Sequence, residues 1–323
     1  MVPNEKVPIW SLRAIKNASV YENIYVHVED GKEFDDIEQW LDREIENPAN
    51  PALEKVCNGE KMSREDWSHL NDFVMAQFVR TPAFYQYLLR LAKQVSREAL
   101  DQVAYEVSDL SLDELKTGEK SNNNTITVPI SIKDTGLKPD DSHTILEINT
   151  VIGKNIWLFF IQYCFLPDSE LRKIIHNMKW SIVSSPEGKV WPTCDNPFII
   201  AINNGDGSFQ RLIEAEGMIN KDRIIVFPLC PSKVLIGTRK RSFTWRINAD
   251  NDMYEQLKKL IIDNADRYIY SLNEDSEIPL YRRRVENKEQ YESVSAEYEG
   301  WYENYKKMEG PLLTKHPTIR MTE

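Results

Sequence analysis

Glycine is scarce in this chain, with 12 glycines among 323 residues. No Gly-x-Gly-x-x-Gly, Gly-Lys-Ser/Thr or Gly-x-Ser-x-Gly sequence occurs. The first two patterns bring backbone amides close to phosphate groups, and the third presents a serine nucleophile on a sharp turn. Their absence argues against a glycine-rich nucleotide site and against a nucleophile elbow.

Cysteine and histidine are also few, with 4 cysteines and 5 histidines. The cysteines lie at positions 57, 164, 194 and 230, without Cys-x-x-Cys spacing. This pattern favours reduced, buried thiols over a disulfide framework or a zinc site. No His-x-x-x-His, His-Glu-x-x-His or His-x-Asp spacing occurs, so a histidine-rich metal site has no local support. The sequence names neither a metal nor a cofactor.

Long apolar runs are absent. The longest, residues 156–166, is interrupted by Gln162 and is shorter than the roughly 20 residues that a membrane helix needs. Residues 1–6 lack the basic and apolar regions of a signal peptide. We therefore expect a soluble, cytoplasmic protein with no membrane partner.

The charge balance is acidic, with 51 Asp and Glu against 40 Lys and Arg and a formal charge of −11. Such a surface repels nucleic-acid phosphates, so nucleic acid is not the expected partner. The one dense basic run, residues 282–284, is followed by Glu286 and Glu289, which is typical of a solvated surface cluster. The expected partners are a small anionic substrate or another protein.

The first half of the chain has helical periodicity. Apolar residues between positions 34 and 56 predict a helix that Pro48 and Pro51 break. Residues 63–66 predict a capped helix start, and Thr81-Pro82 predicts the start of the next helix.

The second half predicts one long buried helix, residues 142–165, followed by strands from residue 180 onwards. An amphipathic helix is predicted over residues 248–265 and a last strand at residues 268–270. The fold class is therefore α+β. A helical part (1–178) and a mainly antiparallel, strand-rich part (179–272) form one domain, and residues 273–323 form a C-terminal helix or a loosely packed arm.

Gln77 and Arg80 lie three residues apart on a predicted helix and share a face. The guanidinium of Arg80 could hold a phosphate or carboxylate of a substrate. Alternatively, Arg80 ties the helix corner to a carboxylate such as Glu46. His69 lies two turns before Gln77 and either reaches the same cavity or stays on the helix surface.

Asp195 and Asn196 precede Pro197 at the end of a predicted strand. As a site, Asp195 would be a general base or a metal-binding carboxylate, and Asn196 would orient the substrate. As structure, both side chains would stabilise a turn that Pro197 fixes. Glu46 is a candidate catalytic acid or else a solvated helix end.

Five motifs occur in order in the chain: Val7-Pro-x-x-x-Leu-Arg13, residues 73–82 with Gln77-x-x-Arg-Thr-Pro82, Thr193-Cys-Asp-Asn-Pro197, Phe227-Pro-Leu-Cys-Pro231, and Asn264-Ala265 ahead of Tyr268-Ile-Tyr-Ser271. Together they resemble the DUF4238 family, a mostly bacterial group, over about residues 5 to 272. The resemblance implies no established activity. Family members have a histidine before the first motif where this chain has Glu5, with Lys6 in the place of the following aromatic residue. A mechanism that needs that histidine does not carry over unless Glu5 replaces it.

Two functions are compatible with these residues. The first is a hydrolase acting on a phosphorylated or other anionic substrate, with Asp195 as base or metal ligand and Arg80 as anion-binding residue. Gln77, Asn196 and Glu46 would orient the groups. The second is a non-catalytic binding or sensing protein, for example of a bacterial stress or phage-response locus. In that protein the polar residues are structural, and the aromatic surface around Trp301 and Tyr302 contacts a partner.

Overall fold

The computed structural model describes residues 10–12, 14, 25–29, 32–88, 91, 130–134, 146–150, 154–204, 208–212, 222–239, 245–266 and 268–281. Its centre is a six-stranded sheet in the order β11-β5-β10-β9-β7-β8. These strands are β5 (Lys179–Ser184), β7 (Ile199–Asn203), β8 (Phe209–Arg211), β9 (Arg223–Cys230), β10 (Lys233–Thr238) and β11 (Arg246–Asn248). Neighbouring strands pair antiparallel except β11, which pairs parallel with β5.

Three two-stranded pairs accompany the sheet. They are β1 (His27–Glu29) with β2 (Lys32–Phe34), β3 (Ile130–Asp134) with β4 (Leu146–Thr150), and β6 (Thr193–Cys194) with β12 (Ile269–Tyr270). All three pairs are antiparallel. The β6–β12 pair joins the end of the chain's strand-rich part to the segment that precedes β7.

The helices are α1 (Asp36–Trp40), a π-helix (Leu41–Glu46), α2 (Asn47–Asn58), α3 (Arg64–Val79), α4 (described over residues 82–88 and 91), α5 (Lys154–Cys164), α6 (Glu170–His176), α7 (Asn251–Asn264) and α8 (Ile278–Tyr281). None of these described helices is long and apolar enough to cross a membrane.

Alternate residues of the central strands pack on opposite faces of the sheet. On one face Ile182, Ile225 and Leu235 join a core with the helices of the first half, including Leu70 of α3 and Trp157 of α5. On the other face Val183, Val226 and Val234 pack with Leu257 and Ile261 of α7. Strand side chains alternate between the two faces of the sheet. Because helices cover both faces, the side chains on both faces are apolar.

The fold class is confirmed as α+β with a mainly antiparallel sheet. The predicted start of α3 is also confirmed. The Ser63 side chain accepts the N–H of Asp66, and the Asp66 carboxylate accepts the N–H of Ser63. Thr81 caps α4 by accepting the N–H of Phe84 at 3.2 Å. These starts were predictable because capping depends on residues that are neighbours in sequence.

Two predictions about the helices are wrong. Residues 142–165 are not one helix, because residues 146–150 form strand β4 and α5 contains 11 residues. The alternation in Leu-Glu-Ile-Asn-Thr favours a strand once β3 supplies its hydrogen bonds. Pro48 and Pro51 do not break the helical segment either, since both lie within α2. Pro48 is the second residue after the π-helix and Pro51 lies inside α2, and the segment stays helical with Ala49, Ala52 and Val56 of α2 buried.

Other predictions fall on residues outside the described ranges. They concern Glu5, the basic run at 282–284, and the aromatic surface around Trp301 and Tyr302.

Candidate functional site

A cleft lies between the first helical segment and the end of α3. Its volume is about 350 Å³, and it is lined by Tyr25, Glu38, Gln39, Leu41, Asp42, Glu46 and Arg80. Two of the six candidate site residues, Glu46 and Arg80, are therefore in one cleft. Asp195, Asn196, Gln77 and His69 do not line it.

The helical segment that borders the cleft divides into two faces. Leu41 and Ile45 of the π-helix are buried in the core. Glu38, Asp42 and Glu46 follow one another at four-residue intervals and line the cleft. Since residues four apart lie on the same side of a helix, the segment presents a row of carboxylates. π-helical turns are rare in proteins, and those that occur are often found at functional sites.

Arg80 is the C-cap residue that directly follows α3, and its guanidinium pairs with Glu46 across the cleft. Nη1 of Arg80 donates to Oε1 of Glu46. The two side chains are 21% and 34% exposed, so the pair is partly shielded from water. This contact is the structural alternative that was predicted for Arg80. It joins the helix corner before α4 to the end of the π-helix.

Tyr25 completes the wall of the cleft beside Arg80. Its hydroxyl donates to the backbone carbonyl oxygen of Arg80 at 3.0 Å, and its ring packs against the indole of Trp157 with centroids 5.7 Å apart. Burial raises the pKa of Tyr25 to about 12, although Arg80 acts in the opposite direction. The phenol is therefore neutral and serves as a hydrogen-bond donor.

The cleft carries more negative than positive charge. Three carboxylates, Glu38, Asp42 and Glu46, line it together with one guanidinium, that of Arg80. Glu38 and Asp42 are exposed, and Asp42 Oδ2 accepts a hydrogen bond from Asn47 Nδ2 at 3.1 Å. With Glu46 paired to Arg80, two carboxylates remain to attract a positively charged group.

Asp195 is placed elsewhere, at the junction between β6 and the loop after α7. Its Oδ1 accepts the backbone N–H of Asp266 at 2.9 Å, and its Oδ2 accepts that of Tyr268 at 3.0 Å. The backbone N–H of Asp195 in turn donates to the carbonyl oxygen of Tyr268 at 3.2 Å. Both carboxylate oxygens thus hold the chain between α7 and β12.

Asn196 binds the last residue of α7. Its Nδ2 donates to the carbonyl oxygen of Asn264 at 3.3 Å. The buried Asn264 side chain donates back to the carbonyl oxygens of Asn196, at 2.6 Å, and Phe198, at 3.2 Å. Arg211 Nη1 donates to Asn264 Oδ1 at 3.3 Å. These contacts join Asn196 to the distant end of α7, whereas the structural alternative predicted from the sequence was a local turn.

Gln77 and His69 do not join either group. Gln77 is half-buried on α3, and its side chain has no hydrogen bond to any other residue that the structure describes. His69 Nε2 lies 3.8 Å from Oε1 of Glu65, one turn earlier on the same helix. The Glu65 side chain is 85% exposed, so this pair is on the helix surface.

One polar cluster was not predicted from the sequence. Asp72 of α3 is buried and accepts hydrogen bonds from Arg172 Nε at 3.2 Å and Nη2 at 3.1 Å, and its Oδ1 lies 2.8 Å from His176 Nε2. Burial alone would raise the pKa of Asp72, but the contacts with His176 and Arg172 outweigh it and lower the pKa. The cluster joins α3 to α6, and residues about 100 positions apart in sequence give no local signal for it.

Within the described ranges, no three His, Cys, Asp or Glu side chains are arranged to hold a metal ion. The cleft is lined by a row of three acidic residues. The sequence signal for this row was the four-residue spacing of Glu38, Asp42 and Glu46, of which Glu46 alone was proposed.

Comparison with protein families gives one finding. The model described as Protein of unknown function (DUF4238) matches residues 3–275, which include the cleft and the contacts of Asp195 and Asn196. Comparison with curated proteins and with solved structures gives no match.

Proposed function

The chain belongs to the DUF4238 family, and we propose that it is a non-catalytic binding protein whose cleft between the π-helix and Arg80 takes a small organic cation. The observation that carries this proposal is the row of three carboxylates against one guanidinium in the lining. The ligand class that fits is a primary amine or diamine.

The size of the cleft supports a small ligand. Its volume is about 350 Å³, near the lower end of the range of about 300–1,000 Å³ that is usual for small-molecule sites. A short aliphatic diamine fits such a space with one ammonium group near each of Glu38 and Asp42.

The chemistry of the wall supports an organic ammonium group. Carboxylates attract it by charge, and the ring of Tyr25 adds an aromatic group that can lie against a cation. The Glu46 carboxylate already pairs with Arg80, so the cation is expected at Glu38 and Asp42. Both carboxylates are exposed, so salt should weaken the binding.

The hydrolase hypothesis for an anionic substrate stays a prediction. It requires Asp195 and Arg80 to act on one substrate. The binding function is favoured because Asp195 uses both carboxylate oxygens on backbone amides and does not line the cleft. It is favoured also because Arg80 already has a carboxylate partner.

Calorimetric titration of the full chain with putrescine and, separately, with inorganic phosphate tests the proposal. We expect putrescine to bind and its affinity to fall about tenfold in Asp42→Asn, which corresponds to about 1.4 kcal/mol. Glu38→Gln should have an effect in the same direction.

Glu44→Gln is the matched control. Glu44 lies on the same π-helix as Asp42 but pairs with Arg43 outside the cleft, so its replacement should leave the affinity unchanged. Binding of phosphate but not putrescine, lost on replacement of Arg80, would contradict the proposal and favour the hydrolase hypothesis.

A further inference from the structure

One imidazole on α6 is held at only one of its two nitrogens. His176 is the last residue of α6, and its Nε2 lies 2.8 Å from Oδ1 of Asp72 on α3. Nδ1 of the same ring has no hydrogen bond to any other residue that the structure describes. The buried polar atoms that lack a partner in the described ranges do not include it, and 26% of the side chain is exposed. Nδ1 is therefore open to solvent.

Asp72 determines which ring nitrogen of His176 carries the proton. Arg172 donates Nε and Nη2 to the two carboxylate oxygens of Asp72, at 3.2 Å and 3.1 Å, which is the bidentate pairing of an ionised carboxylate. An ionised carboxylate only accepts hydrogen bonds, so Nε2 of His176 is the donor in their contact. In the neutral ring the lone pair then lies on Nδ1. The hydrogen bond at one nitrogen thus leaves the other as a base and nucleophile.

Arg172 adds positive charge to the same surface. It lies four residues before His176 on α6, so the two side chains share a face of the helix, and both bind Oδ1 of Asp72. Its Nη1 donates to the carbonyl oxygen of Phe165 at 3.1 Å. Each terminal nitrogen of a guanidinium carries a second N–H, and 30% of the Arg172 side chain is exposed. The cluster therefore offers donors for an anionic group next to the nucleophilic nitrogen.

We propose that His176 is a modification site whose Nδ1 accepts the phosphoryl group of a small acyl phosphate. Asp72 is the positioning residue that orients the ring, and Arg172 binds the oxygens of the transferred group, as guanidinium groups do with phosphate. An acyl phosphate carries a carboxylate leaving group, so the transfer needs no general acid from the protein. The site is separate from the cation-binding cleft, which His176 does not line.

The transfer balances without any further reactant. The Nδ1 lone pair attacks the phosphorus atom, the P–O bond to the acyl group breaks, and the carboxylate leaves with the electron pair. The ring becomes an imidazolium that keeps its proton on Nε2. The Asp72 carboxylate, 2.8 Å away, stabilises this charge without taking the proton. Attack of water on the N–P bond later releases inorganic phosphate and restores the histidine, so the modification is reversible.

The first test treats the full chain with acetyl phosphate at about pH 8, where free imidazole is unprotonated. The sites are identified by mass spectrometry of a digest kept at the same pH. We expect His176 to be phosphorylated about tenfold faster than His69, a difference of about 1.4 kcal/mol in barrier. His69 is the internal control, because its side chain is 35% exposed and lies 3.8 Å from the Glu65 carboxylate, too far for a hydrogen bond. Absence of phosphorylation, equal rates at both histidines, or an unchanged rate at His176 in urea would overturn the proposal.

Replacement of each histidine assigns the label. His176→Gln should lose most of the incorporated phosphoryl group, and the matched variant His69→Gln should keep it. Equal losses in the two variants would contradict the assignment.

Nitrogen NMR of the histidine-labelled protein tests the role of Asp72. In the wild type we expect the proton on Nε2 before the reaction and the phosphoryl group on Nδ1 after it. In Asp72→Ala both nitrogens are open, so we expect phosphorylation at both, a change that a purely structural role of Asp72 would not produce. A proton on Nδ1 or a phosphoryl group on Nε2 in the wild type would overturn the proposal, and this result does not require the variant to fold.

Discussion

Asn196 and Asn264 bind each other's backbone. The Asn264 side chain donates to the carbonyl oxygen of Asn196 at 2.6 Å, and the Asn196 side chain donates to the carbonyl oxygen of Asn264 at 3.3 Å. Two motifs that lie far apart in the sequence, Asp-Asn-Pro and Asn-Ala, therefore form one connection between the start of β7 and the end of α7. Their polar residues support the fold on the side of the sheet that α7 covers.

Replacing Asn264 with alanine should destabilise the protein markedly. Asn264 is 6% exposed and its side chain bonds Asn196, Phe198 and Arg211. Because buried carbonyl groups would lose their donor, we expect a loss of about 2–4 kcal/mol in the free energy of unfolding, measured in urea. Asn204→Ala is the control, since its side chain bonds Ser208 at an exposed position, and it should cost less than about 0.5 kcal/mol. A cost for Asn264→Ala as small as the control's would contradict the structural role.

Replacing Asp195 with asparagine should lower stability and leave ligand binding in the cleft intact. An asparagine has one acceptor oxygen where Asp195 uses two, toward Asp266 and Tyr268. Hydrogen bonds to a charged group are worth about 1.5–3 kcal/mol, so a loss in that range is expected for the free energy of unfolding. Asp263→Asn, at an exposed position of α7, serves as the control. If Asp195→Asn abolished putrescine binding without destabilising the protein, Asp195 would belong to the ligand site.

Asp72 should make the stability of the protein depend on pH in the acid range. Its pKa is lower in the folded protein than in the unfolded chain. Its contribution is therefore complete above the unfolded value of about 3.9 and is lost as the pH falls through the folded value.

The measurement is urea unfolding of wild type and Asp72→Asn at two pH values. We expect a difference of about 3 kcal/mol near pH 5.5, because Arg172 and His176 lose their partner. The difference should be smaller near pH 3, which is below the unfolded value of about 3.9, because Asp72 takes up a proton more readily in the unfolded chain. Glu170→Gln, in an exposed pair with Lys173, should have little effect at either pH. An equal or larger difference at the lower pH would show that the Asp72 carboxylate is not the stabilising form.

The parts of the fold that were predicted correctly depend on short-range patterns. The Ser63–Asp66 capping box and the apolar, strand-forming runs of β5 and β9 are contained in a few neighbouring residues. Strand β4 was missed because its pairing with β3 is not local and its apolar residues also suit a helix. The π-helix was missed because no residue type marks it. The effect of Pro51 on α2 was overestimated because the packing of Ala52 and Val56 outweighs one lost hydrogen bond.

The same difference between short-range patterns and distant contacts applies to the candidate site. The sequence left two alternatives for Arg80, a substrate anion or a structural carboxylate such as Glu46, and in the structure Arg80 pairs with Glu46. It could not predict that Asp195 and Asn196 would turn toward the end of α7, because their partners are backbone groups about 70 residues away.

The most direct test of the proposed function is a crystal of the wild-type protein soaked in putrescine and, in a separate crystal, in inorganic phosphate. We predict density for putrescine in the cleft, with its ammonium groups within hydrogen-bonding distance of Glu38 and Asp42 and the Arg80–Glu46 pair intact. Phosphate bound to Arg80 with Glu46 displaced, and an empty cleft in the putrescine crystal, would contradict the account.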